Sequence, residues 1–476
     1  LAILDLALVI FVIFFERKKP TSAVAWALAL IFLPYIGAFF YITFGIRPRF
    51  NRFRRYKEKN KTDIGYYQEQ LKNLSMLGGD AILEEDREAV ACQDLINLNI
   101  MGSQSIYTKG NDIQVYTNGK EKFTALLSDL RAAESSIHLV YFIYRNDDLG
   151  KIILKILTEK AKAGVTVRCL LDDIGTWMTP KKHFFKPLLE AGGQVAFFSP
   201  ARIVSLINVN YRNHRKLAII DGEVGYLGGM NVGLEYLGIG RKNISDWRDT
   251  HMRITGPSVY MMQLRFLMDW QYSRSEMVDY DEMLFPPLTQ ESKQDIGMQI
   301  VSSGPDRKDE YVKYAYIKMI NNAKKEIYIQ TPYFIPDEPF LEAIRLAALS
   351  GVQIHIMIPG EYDKYLVYMG TLSFAHDLME CANVHFYRYK GFLHSKMVIL
   401  DDKAVSIGTT NIDIRSFSLH FEINAFIFNR KFTKECQDIF FKDLENSEPF
   451  GINEYQARPW YQKLLESIMR LFAPIL

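Results

Sequence analysis

Two stretches of this chain carry the same reactive side chains at the same spacing. His214-Arg215-Lys216 is followed by Asp221, Gly228-Gly229 and Asn231, and His394-Ser395-Lys396 by Asp401, Gly408 and Asn411, with the His, Lys, Asp, first Gly and Asn offsets all kept. One His-x-Lys-x4-Asp in a chain with nine histidines is weak evidence of a site; two in register are a duplicated functional unit. An imidazole can attack phosphorus or pass a proton, while lysine and asparagine supply charge and donors for the equatorial oxygens of a phosphoryl group. Two such sets suit a two-step phosphodiester exchange that needs no metal and no cofactor. One histidine attacks phosphorus; the other protonates the leaving alcohol and then deprotonates the incoming one.

The flanking residues make each motif a β-hairpin. Leu217-Ala218-Ile219-Ile220 is an apolar run ending at Asp221-Gly222, a hairpin-turn signal, and Val224 to Gly229 is the returning strand. A two-residue turn at Gly222-Glu223 sets Asn231 opposite His214, and one at Asp402-Lys403 sets Asn411 opposite His394. Strand side chains repeat every two residues, so His214 shares a face with Lys216 and His394 with Lys396. Asp221 lies about 23 Å along a strand from His214 at ~3.3 Å per residue, so it and Asp401 read as turn and ion-pair residues that hold the hairpins. Nearer carboxylates stand in Asp249-Thr250-His251 and Glu422-Ile423-Asn424, and either could orient a histidine through its second ring nitrogen.

The repeat extends beyond the hairpins. Phe123 to Asp172 reads helix, strand (Ile137 to Phe142), helix, strand (Val165 to Leu171), and Tyr311 to Pro359 repeats that order with strands at Ile327 to Phe334 and Val352 to Ile358. Such alternation indicates parallel α/β units. The expected fold is α/β, with two tandem sandwich domains, 112–275 and 296–450, related by a pseudo-twofold axis, and a pocket between them where the hairpins meet. Tyr141, Tyr333 and Phe334, at strand ends, are either pocket-lining or core aromatics.

With 476 residues, 48% of them hydrophobic, the chain can fill two cores, and its net charge of +2 points to no partner class. Cys92, Cys169, Cys381 and Cys436 lack zinc-site spacing and form no disulfide framework. Residues 1–45 hold two hydrophobic segments. Thr21 to Gly45 would be about 37 Å long as a helix, against a bilayer core of ~30 Å; Pro34 and Gly37 equally suit a bent or re-entrant segment. Within the next stretch, 46–111, Arg47, Arg49, Arg52, Arg54, Arg55, Lys57, Lys59 and Lys61 form a juxtamembrane basic cluster, expected on the cytoplasmic side against anionic lipid. Membrane segments argue against a nucleic-acid substrate. The tail, 451–476, has Trp460, Tyr461, Leu464, Leu465, Ile468 and Phe472 at helical spacing, suited to packing on the domain or to a membrane interface.

At these residues the chain resembles the phospholipase D superfamily, whose H-x-K-x4-D signature it carries twice, and within it the bacterial cardiolipin synthases. The likeness covers nearly the whole chain, including Ala25-Trp26, Leu33-Pro34, Ser303-Gly304-Pro305, Thr331 to Pro336, Asn411 to Ser416 and Arg458-Pro459-Trp460. It departs only in Thr409, which stands where the first copy has Gly229. The resemblance implies two phospholipase D-like domains preceded by transmembrane helices in a bacterial plasma membrane, with the domains cytoplasmic. It implies condensation of two phosphatidylglycerol molecules into cardiolipin with release of glycerol, or alternatively phospholipase D-type hydrolysis or transfer to another alcohol. It counts His214, Lys216, Asp221, His394, Lys396 and Asp401 in the catalytic set, with His214 forming a phosphatidyl-histidine and His394 acting as acid, then base; near-symmetry leaves the exchanged assignment open. Lys216, Asn231, Lys396 and Asn411 would hold the phosphate, and Asp249 and Glu422 would orient the rings.

Overall fold

The duplicated strand and helix patterns fold into two halves that share one sheet. The computed structural model describes residues 9–12, 20–41, 86–198, 210–240, 244–274, 278, 282–288 and 291–473. From the centre outward, the strands of the first half are Tyr107–Tyr116, His251–Thr255, Val224–Gly228, Leu217–Ile220, Ser136–Tyr141, Thr166–Asp172 and Gln194–Phe198. The second half repeats that order with Ile296–Ser303, Glu422–Phe428, Ala404–Gly408, Met397–Leu400, Glu326–Gln330, Gln353–Pro359 and Val384–Tyr389, then adds Ser447–Pro449 at its edge. The two innermost strands, Tyr107–Tyr116 and Ile296–Ser303, pair antiparallel and join the halves into a 15-stranded sheet. The identical order on either side of this pair is the signature of a pseudo-twofold relation.

Local sequence explains the helices that flank it. Asp147 caps Asp148–Lys162 by accepting from the Gly150 amide at 2.9 Å, and Leu149, Ile153, Ile156 and Leu157 bury the stripe that this spacing creates. In the second half Glu338–Leu349 buries Phe340, Leu341, Ile344 and Ala348 in the same way. Helices Ser258–Arg274 and Arg430–Glu445 belong to a different layer. Their Phe266, Trp270, Phe432 and Phe440 share one core with Leu217 and Ile219 of the first half and Ile399 and Ile407 of the second. That common core holds the halves in fixed relation. A division at 112–275 cuts through the strand that starts at Tyr107.

The N-terminal segment is bent. Pro20–Phe32 and Pro34–Phe40 are separate helices, because Pro34 has no amide hydrogen to continue the first. Gly37 lies where a Cβ would come within 2.4 Å of the Ala29 carbonyl oxygen, so only glycine permits this close approach. Thirteen residues rise about 20 Å, and no helix among the described residues is long and apolar enough to cross a membrane. Within the described part of this segment the helix is interrupted at Leu33, where a bent or re-entrant path would turn. The basic cluster from Arg47 to Lys61 lies outside the described residues. In the tail, Trp460–Leu471 is a helix packed on Tyr365–Met379 and held by Arg470 to Asp377 at 2.5 Å.

Candidate active site

Both hairpins close one residue differently from the sequence expectation. Ile220 pairs with Val224 and Leu217 with Leu227; Leu400 pairs with Ala404 and Met397 with Ile407. The turns are the three-residue segments Asp221-Gly222-Glu223 and Asp401-Asp402-Lys403, with φ of 53° at Asp221, 69° at Gly222 and 45° at Asp401. A one-residue change of register exchanges the faces of a strand, so neither Asn231 nor Asn411 stands directly opposite its histidine.

The strands also begin later than expected, at Leu217 and Met397. The preceding residues leave the hairpin and pair with the other half. Asn213 bridges Phe421, and the His214 amide donates to the Phe421 carbonyl at 2.9 Å. Phe392–Leu393 pairs with Trp247–Arg248, and the His394 amide donates to the Arg248 carbonyl at 2.6 Å. Because Phe421 precedes Glu422 and Arg248 precedes Asp249, each imidazole meets the carboxylate of the opposite half. His214 Nδ1 lies 2.9 and 3.1 Å from the two Glu422 oxygens, and His394 Nδ1 lies 2.6 Å from Asp249 Oδ2. A carboxylate only accepts, so each neutral ring carries its hydrogen on Nδ1 and leaves Nε2 with a free lone pair.

The carboxylates are supported in different ways. Thr409 Oγ1 donates to Glu422 Oε2 at 2.5 Å. Its counterpart Gly229 presses on Asp249 so closely that a Cβ there would lie 2.1 Å from Oδ1. The departure of Thr409 from the first copy therefore matches the exchange of Asp for the longer Glu.

The lysines curl back toward their own histidines: Lys216 Nζ donates to the His214 carbonyl at 2.5 Å, and Lys396 Nζ donates to the His394 carbonyl. Burial pulls Lys216 down to about 7, against the opposing pull of Glu422, and Lys396 down to about 8, against Asp249 and Glu422. Burial and then Lys396 lower His394 to about 4, with Asp249 working the other way. Burial lowers His214 well below its usual value, and the further charges acting on it include Lys216, Lys396 and His394. The two motifs thus form one electrostatic site between the halves.

The remaining expected residues divide. Asn231 is engaged at both ends, accepting from the Ile143 amide at 3.0 Å and donating to the Tyr236 hydroxyl at 2.6 Å. Asn411 interacts with Asp413, and its Oδ1 is buried without a hydrogen bond. Asp221 accepts from the backbone amides of Glu134, Ser135 and Ser136 at 2.7 to 2.9 Å. Asp401 accepts from those of Lys324, Lys325 and Glu326 and pairs with Lys403 at 3.0 Å. Both acids pin a hairpin turn to the head of the neighbouring strand, the anchoring place that their distance along the strand from the histidines predicts. Tyr141 and Phe334 are core residues, whereas Tyr333 donates to Asp363 at 2.7 Å.

Three groups at the site carry no mark in the motifs themselves. Arg248 makes a two-pronged pair with Asp443 at 2.9 and 2.7 Å, binding the first half to the second. Arg215 reaches Asp269 at 2.6 Å and the Glu422 carbonyl at 3.1 Å. His420 lies with its ring 5.5 Å from that of His214 and its Nδ1 3.7 Å from Glu422 Oε1. Trp247 holds the matching place beside His394, at 5.7 Å. Both stand two residues before the carboxylate, so matching Asp249 with Glu422 is the signal that finds His420. Among the described residues, His214, His420 and Glu422 are the trio whose ligand atoms come within 4.8 Å of one another, the geometry a metal would need.

A family model described as cardiolipin synthase, phospholipase D-like domain, matches residues 126–243 and 316–444, and one described as phospholipase D-nuclease N-terminal matches 3–45. The chain is 44% identical to the major cardiolipin synthase ClsA of Bacillus subtilis (strain 168), over all of this chain and 98% of that protein. It is 42% identical to a cardiolipin synthase of Oceanobacillus iheyensis, again over all of this chain and 98% of the relative. Among solved structures, phosphatidylserine synthase of Haemophilus influenzae Rd KW20 matches the fold with a TM-score of 0.63 at 16% identity, covering 82% of this chain and 100% of that one. Two model matches on the two motif-bearing halves, together with full-length identity of this order, show that the chain belongs to the bacterial cardiolipin synthase family of phospholipase D-like phosphatidyltransferases.

Proposed function

We propose that this enzyme condenses two phosphatidylglycerol molecules into cardiolipin and glycerol through a phosphatidyl-histidine. The observation that carries the reading is the pair of imidazoles, each held by a carboxylate from the opposite half. His214 Nε2 attacks the phosphorus of the first lipid; a P–N bond forms, the P–O bond to glycerol breaks, and His394 gives the departing oxygen its proton. His394 then takes a proton from the terminal hydroxyl of the second lipid, whose oxygen attacks phosphorus as the P–N bond breaks and His214 is restored. The bound diester is an anion. Its charge, set between Lys216 and Lys396, draws protons back onto the lysines and onto His394, the imidazole with the closer carboxylate. Lys216 and Lys396, with Asn411, hold the phosphoryl oxygens, while Asp249 and Glu422 fix ring orientation.

The bent apolar helices at the N-terminus and the basic residues that follow them support a membrane anchor facing anionic lipid, with glycerol released to water. The test is incubation of the purified chain in phosphatidylglycerol vesicles. Cardiolipin and glycerol in equal amounts are expected, and serine, ethanolamine and free glycerol should compete poorly as acceptors. Phosphatidic acid without cardiolipin would overturn the reading in favour of hydrolysis.

A further inference from the structure

The C-terminal helix Trp460–Leu471 has two faces with different fates. On the inner one Glu466 is buried and paired with Arg458 at 2.6 Å, and Met469 packs into the core of the second half. On the outer one Trp460, Leu464, Ile468 and Leu471 recur at helical spacing with 75%, 53%, 42% and 79% of their surface exposed. A stripe of this kind is stable in water only at a cost, and it matches the face that an interfacial helix lays on lipid.

The position of the helix says where that lipid would be. Glu466 and Arg458 act on Tyr368, while Arg470 lies over the Phe374 ring at 4.7 Å and pairs with Asp377. Rising residue numbers on one helix thus follow rising numbers on the other, and the two run in the same direction. Trp460 therefore lies toward the end of Tyr365–Met379 that carries exposed Tyr362, Tyr365 and Leu366. That end borders the site: Asp363, in the same turn, binds Tyr333 and acts on Lys396, and Lys364 acts on His214. Tryptophan and tyrosine, with an apolar ring and one polar edge, favour the headgroup level of a bilayer.

We infer that the outer face of Trp460–Leu471 and the Tyr362–Leu366 rim form one lipid-binding surface, which lays the mouth of the active site on the bilayer that holds its substrate. The inference rests on the phosphatidyl-transfer reading for its choice of lipid as occupant. Half-buried Lys463, whose amine donates to the Gln456 carbonyl at 2.8 Å, sets a positive charge beside this face that suits anionic headgroups.

The test uses the full chain in phosphatidylglycerol vesicles, with a polarity-sensitive fluorophore on Leu464→Cys or on Leu349→Cys. Leu349 is 75% exposed but ends the helix that leads into the start of Gln353–Pro359, at the end of the parallel strands opposite to that where Gln330 pairs beside Lys396. A quencher attached to lipid chains should dim the label at 464 roughly threefold more than that at 349, as burial at an interface requires. Equal quenching at the two positions would overturn the proposal. So would a blue-shifted label at 464 that lipid quenchers do not reach, since a second copy or the N-terminal helices would then cover the face. The readout needs no turnover, so it fails or succeeds independently of the assigned reaction.

Discussion

His394 Nδ1 lies 2.6 Å from Asp249 Oδ2, although the two residues belong to different halves of the chain. The contact is mirrored by His214 and Glu422. Neither half can therefore complete a carboxylate-held imidazole by itself, and whatever separates the halves removes both carboxylates from their rings together.

Asp249→Asn is expected to keep the fold and lose roughly 10⁴ in kcat, the scale on which an imidazole loses its correct tautomer when its carboxylate becomes an amide. The effect on KM should be small. Steady-state kinetics in mixed vesicles give the answer, and a loss below tenfold would break the link between the crossed pair and catalysis.

Gly229→Ala tests the same contact from the backbone side. A Cβ 2.1 Å from Asp249 Oδ1 has to push the carboxylate away from His394, and a displacement of about 1 Å costs on the order of 10²-fold in rate. Thr409→Ala removes a hydroxyl donor from Glu422 and should cost about 1–3 kcal/mol at most in transition-state support. Equal and negligible effects of both substitutions would show that the carboxylates are not held as described.

Asp221→Ala and Asp401→Ala should lower stability by about 2–4 kcal/mol, because each strips several backbone amides of a charged acceptor. Folded protein should turn over normally at low temperature. Wild-type stability combined with lost activity would put these acids back into the chemistry.

The pH profile of kcat/KM reports the free enzyme. Lysine is cationic below its pKa, so as pH rises through about 7 for Lys216 and about 8 for Lys396 the site loses the charge that attracts the diester, and kcat/KM should fall. Lys396→Arg, which stays charged, should move that limb upward. A profile flat from 6 to 10 would contradict the lowered lysines.

Chelators should leave turnover unchanged. The trio His214, His420 and Glu422 has ligand geometry, but Lys216 and Lys396 act on His214 and Arg415 acts on His420, all three as cations, so a further cation is disfavoured there. Loss on chelation that a single divalent ion restores would mean that the metal-free account is wrong.

The sequence alone carried the two sets of reactive residues and their duplication, because residue types and offsets are linear information. His214, Lys216, His394 and Lys396 could be named, as could the α/β order, the anchoring places of Asp221 and Asp401, and the two acids that orient rings. Tertiary structure decided which acid serves which ring. That depends on Phe421 and Arg248 pairing across the halves, a contact between residues far apart in the chain that no local spacing records. Structure also decided the register, since left-handed φ at Asp221 and Asp401 makes three-residue turns out of sequences that also fit two. His420 became visible when folding set it beside His214; its one mark in the sequence is the place two residues before Glu422 that Trp247 holds before Asp249, and that mark shows only once the two acids are matched.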